Sequence, residues 1–164
     1  MQNLKAIIVA GLMAVTSFSN HAAPSKELFW DELIPKGHVP LEQQATASHN
    51  ENAQANWVQP NLDAPVVNEL NGKTVSIPGF VVPLEGDDEL ITEFLLVPYF
   101  GACLHVPPPP PNQIVHVIIK DGVPIDSLYD AIVVTGVLST KGWSGEIAEV
   151  GYSMKGIGVA PFEG

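Results

Sequence analysis

The chain has 164 residues, 46% of them apolar, and carries 18 acidic side chains against 7 lysines and no arginine, for a net charge of −11. That length holds one domain with appendages and an ordinary core. An acidic chain with no basic stripe excludes the usual nucleic-acid and anionic-membrane binders and suits cationic partners, metal ions among them.

Residues 1–23 read as a secretory signal peptide. Lys5 supplies the positive start, Ala6 to Val15 is an apolar run, and Ala22 and Ala23 offer small residues for cleavage. The run falls short of the ~20 apolar residues that span a bilayer. A periplasmic protein that does not cross the membrane is therefore expected. With no cysteine near the signal, lipid attachment there is not expected.

Residues 24–35 predict a short helix, with Ser25 as its cap, Phe29 and Leu33 on one face with Trp30 beside them, and Pro35 as its stop. From 36 to 59 the composition turns to Gln, Asn, Ala, His and Glu without periodicity, the mark of a flexible linker. His38 and His49 fall here and read as exposed bystanders.

The folded domain is expected over 60–164. Asp63 is placed to cap a second short helix through Leu70, with Gly72 past its end. Five runs rich in Val, Ile, Phe or Tyr follow: Thr74–Leu84, Phe94–Tyr99, Ile114–Lys120, Ala131–Leu138 and Tyr152–Val159. Gly79, Gly136, Gly156 and Gly158 fall inside them, where strands bulge or coil. Asp121-Gly122 reads as a turn, Asp126 to Asp130 as one helical turn, and the Trp143 segment as a loop near the barrel mouth. The fold class is mainly β, a small OB-like five-stranded barrel, with a β-sandwich as the alternative.

The stretch Gly101-Ala102-Cys103-Leu104-His105-Val106, five prolines from Pro107 to Pro111, and Asn112-Gln113 carries the chemistry. Cys103 is the lone cysteine, so an internal disulfide is excluded. In extended chain, residues i and i+2 share a face at roughly 6–7 Å, so thiolate and imidazole can meet one zinc or copper ion. His116 is the candidate third ligand, and Glu93, or one of Glu85, Asp87, Asp88 and Glu89, the fourth. The bland reading stands beside this one: Cys103 as a small buried hydrophobe and His116 as a strand histidine held by a hydrogen bond.

The proline run predicts a stiff polyproline II arm that presents its carbonyls and the Asn112 and Gln113 amides. Pro108, Pro110, Asn112 and Gln113 are thus candidate contacts for an aromatic groove in a partner. Trp30, Trp57 and Trp143 are further anchors. The blue-copper spacing and the second half of a Rieske centre are both missing. No Gly-X-Ser-X-Gly, phosphate loop or His-Glu-X-X-His segment is present, so no catalytic residues and no enzyme are expected.

Leu70-Asn71-Gly72-Lys73 through Ile77-Pro78-Gly79-Phe80, the Gly101–Pro110 run, Asn112-Gln113 and the Trp30–Pro35 lead-in resemble those of an uncharacterised bacterial family of exported proteins and lipoproteins, a domain of unknown function. The resemblance spans most of the chain from Phe29 onward. It implies an envelope location and gene groups often found beside zinc-responsive transport genes. The expected function is that of an exported accessory protein binding a transition metal, zinc favoured, with an envelope transporter or metal-handling protein as partner. The alternative is a non-catalytic interaction module using the proline arm.

Overall fold

The computed structural model describes residues 25–38, 58–103 and 106–163. The signal segment, His49, Trp57, most of the linker and the Leu104-His105 pair lie outside the described residues.

A two-residue strand, β1 (Lys26–Glu27), opens the fold, followed by β2 (Thr74–Gly86), β3 (Leu90–Val97), β4 (Val115–Pro124) and β5 (Ile132–Ser139). A small hairpin, β6 (Trp143–Ser144) and β7 (Glu149–Val150), precedes the last strand, β8 (Tyr152–Pro161). Hydrogen bonding runs β2-β3-β4-β8-β5 and returns to β2, so the five long strands close on themselves. Every pairing in the ring is antiparallel except β4 with β8. This is the five-stranded OB-like barrel expected from the sequence, and the sandwich alternative is not the fold.

Closure depends on the length of β2. Its first half, Thr74 to Gly79, pairs with β5, and its second half, from Phe80, pairs with β3. Gly79 stands at the handover, where a Cβ would lie 2.7 Å from the Val97 carbonyl oxygen and 3.0 Å from the Trp30 ring. Only glycine admits so close an approach. A register shift between Thr135 and Gly136 bends β5 against β8.

Strand alternation makes two apolar layers. Val75, Ile77, Val81, Phe94, Leu96, Val115, Val117, Leu138, Tyr152 and Met154 fill the barrel. Their alternates on the other side, Val82, Leu95 and Val97, join Ala102, Ile114, Ala148 and Val150 in a second cluster outside the wall.

The segment 24–35 is not the capped helix expected. Lys26–Glu27 pairs in parallel with Val75 and Ser76, on the stretch of β2 edge that precedes its pairing with β3. Only a 3-10 turn, Trp30–Leu33, follows. So short a segment is a poor isolated helix, and an open strand edge offers it partners. Leu28 and Leu33 are fully buried while Phe29 is half exposed, so Leu33 packs inward as expected but Leu28 takes the place expected of Phe29. The Tyr152 hydroxyl donates to the Leu33 carbonyl at 2.8 Å and accepts from the Val67 amide at 2.6 Å. The Trp30 indole donates to Pro78. The lead-in thus belongs to the barrel.

Two other local expectations also give way. The helix capped by Asp63 is reduced to a 3-10 turn, Asn68–Leu70, after Pro65. Asp121-Gly122 lies inside β4, opposite an irregular step between Ile91 and Glu93, with Gly122 at φ 70°. The turn expected near 126–130 is a 3-10 turn, Ile125–Tyr129.

Candidate functional site on the outer face of β2, β3 and β4

Residues 98–103 and the β6–β7 hairpin pack on the second apolar cluster, on the face of the barrel where OB-type folds usually meet their ligands. Cys103, Tyr99, Phe80, Leu84 and Trp143 pack against that cluster. On either side of the Cys103–His105 tripeptide the backbone is tied, with the Val106 amide donating to Gly101 and an isolated bridge between Ala102 and Val106.

Cys103 has φ 66°, a left-handed conformation that a side chain with a Cβ rarely adopts. Its side chain is half-buried, and burial pushes the thiol up from 9.0 to about 11. At neutral pH it is a neutral thiol, with about 10⁻⁴ in the thiolate form.

His116 sits on β4 with its side chain turned out of the barrel and nearly buried. Its Nε2 lies 2.7 Å from Glu93 Oε1, and the Glu93 side chain is 23% exposed. The Trp143 indole stacks on the imidazole, centroids 4.5 Å apart and planes 14° from parallel. The neighbours explain the pairing. His116 lies opposite Leu95 and Glu93 opposite Ile118, so the two polar residues are diagonal partners on one face.

Beside this pair a cleft of about 360 Å³ runs between Pro83, Leu84, Glu85, Glu93 and the hairpin residues Trp143, Gly145, Glu146 and Ile147. Glu85, Glu93 and Glu146 make it acidic. Among the described residues no three His, Cys, Asp or Glu side chains converge as a metal ion would require.

The prolines do not form the projecting arm expected. Pro108 to Pro111 are buried, and the chain itself uses the carbonyls of Pro109, Pro110 and Pro111. Pro109 accepts from the Gln59 side chain, Pro110 from the Gln113 amide and Pro111 from the Gly151 amide. Asn112 is 1% exposed and donates to Pro65. The Gln113 side chain donates to the Trp30 carbonyl. A segment of five prolines has no amides of its own to offer, so its carbonyls must find donors elsewhere once packed. Pro108 and Pro110 are therefore inside a strap that ties the lead-in, the end of the linker and the β6–β7 hairpin together. Gln59 completes the tie by exchanging two bonds with the Glu149 backbone.

The family model for a protein of unknown function, DUF3299, matches residues 30–161. The chain belongs to the DUF3299 family. A DUF3299 family protein from Pseudomonas aeruginosa PAO1, solved as a crystal structure at 2.45 Å resolution, is 44% identical with a TM-score of 0.73, over 86% of this chain and 98% of its own. No curated protein matches.

In this DUF3299 chain, then, the sequence-predicted residues part company. Cys103 and His116 come to the same face. Asp87 is turned into its own loop, accepting from the Glu89 and Leu90 amides, which hold its carboxyl below the ordinary range. The Trp143–His116 stack was not foreseen. Its only sequence signal is an aromatic in the loop that OB-type folds place over this face. Among the described residues no helix is long and apolar enough to cross a membrane.

Proposed function

We propose that the protein is a non-catalytic, exported accessory protein that binds a zinc-like transition metal on this outer face and serves an envelope transporter or metal-handling partner. The observation that supports the reading is that Cys103 packs against the outer apolar cluster together with Trp143, whose indole stacks on the Glu93-paired His116. A histidine whose second nitrogen is held by a carboxylate is the usual arrangement of a metal-ligating imidazole. The left-handed Cys103 fits as well, since such backbone conformations gather at functional sites. His105 completes the ligand set in this proposal, and the Cys103 thiol gives up its proton to the metal. Metal uptake therefore strengthens as pH rises toward the thiol's raised pKa. The same raised pKa argues against a nucleophilic role, which needs thiolate.

The test is elemental analysis of untagged protein beside a Cys103→Ala/His105→Ala variant. Stoichiometric zinc in the parent and its loss in the variant is the expected outcome. Negligible metal in both would refute the reading.

A further inference from the structure

The barrel wall closes unevenly. β8 lies between β4 and β5 only as far as Lys155, which has Ile118 as its partner on β4. From Gly156 to Pro161 it pairs, among the described residues, with β5 alone. A Cβ on Gly156 would stand 2.8 Å from the Ile119 side chain, and the register shift beside it bends the strand. The Phe162 amide donates to Ala131 on the β5 side, so by alternation the Val159 amide and the Val159 and Pro161 carbonyls face away from β5. An outward-facing edge is where a sheet admits a proline such as Pro161. The surroundings are open: a Cβ on Gly158 would meet nothing within 4 Å, and Ile157 is 61% exposed. The edge at the start of β2 is covered by β1 of the same chain, whereas no described segment pairs with this one.

An uncovered, uncharged strand edge is a template for another strand. Two features of the sequence select the occupant. Gly156 to Phe162 carries no charge in a chain of net charge −11, and opposite charges stand at its two ends, Lys155 and Glu163. Laid antiparallel on a copy of itself and centred on Val159, the segment brings each Lys155 alongside the partner's Glu163. A parallel arrangement sets like charge on like. We infer that the free edge of β8 is a self-association surface: a second copy of this chain pairs its own β8 there, antiparallel across a two-fold axis, so that one sheet runs through both barrels. Val159 exchanges both main-chain bonds with its counterpart, and the contact closes at two copies. The inference stands apart from the metal reading.

Sedimentation velocity of the full chain in about 0.15 M NaCl, from about 5 to 500 μM, reads the association. A monomer–dimer equilibrium is expected. Val159→Pro removes an amide that faces away from β5, so it should abolish the dimer while circular dichroism and thermal unfolding stay near those of the parent. A charge-swap set keeps the test independent of how well that variant folds. Lys155→Glu and Glu163→Lys, both at exposed positions, should each weaken the dimer about tenfold, and the double variant should restore it to within about threefold. A parent that stays monomeric throughout overturns the inference. So does a dimer that tolerates all of these changes, since its contact then lies on another face. Single variants that weaken the dimer without rescue in the double variant overturn the antiparallel pairing.

Discussion

Alkylation of Cys103 tests the chemistry of the loop most directly. Iodoacetamide reacts with thiolate, so its rate follows the ionised fraction. Burial raises the thiol from 9.0 to about 11. At pH 8 an ordinary thiol of that starting value is about 9% ionised, and Cys103 about 0.1%. Metal-free protein should therefore react about a hundredfold more slowly than the same chain in denaturant, and the rate should keep rising past pH 10. The stability consequence has a definite sign. Below pH 9 both folded and unfolded chains carry the protonated thiol. Between about 9 and 11 the unfolded chain releases its proton first, so stability falls as pH rises through that window. Mass spectrometry of quenched time points across pH gives the profile. A rate within threefold of the denatured chain, or a half-titration near pH 9, would show that the loop leaves the thiol open and would refute the desolvation argument.

Two further outcomes concern the fold that positions this face. Tyr152→Phe removes the hydroxyl shared by Val67 and Leu33 and leaves both backbone groups without that partner, which should cost about 2–3 kcal/mol by urea titration; a loss under about 0.5 kcal/mol would mean the lead-in is not tied through this residue. Gly79→Ala drives a Cβ against the Val97 carbonyl, so about 1–3 kcal/mol should be lost, and an unchanged midpoint would refute the close approach at the strand handover.

The barrel was legible because it is written in local patterns. Apolar runs bounded by Gly, Pro and Asp marked all five long strands, and glycines inside them marked where a sheet coils. Strand ends were less legible. The second run was expected to begin at Phe94, yet Leu90, Ile91 and Glu93 also pair with β4 once the barrel has closed. The lead-in failed for a related reason. The spacing of Phe29 and Leu33 suits a helix, but a free edge of β2 offers backbone partners that a segment of this length cannot supply to itself.

What the sequence determined by itself is therefore the mainly β class, the five strands, the unpaired thiol and the family to which those residues belong. Tertiary structure alone decided what became of the polar and proline-rich parts. Glu93 meets His116 because two strands pair in one register, and a shift of one residue would turn them to opposite faces. Trp143 reaches the imidazole because Gln59 and Gly151 tie its hairpin to the proline strap. The prolines are buried because the barrel supplies donors for carbonyls that the run cannot satisfy alone. Pairing across distant segments depends on closure of the whole sheet, and no local pattern encodes it.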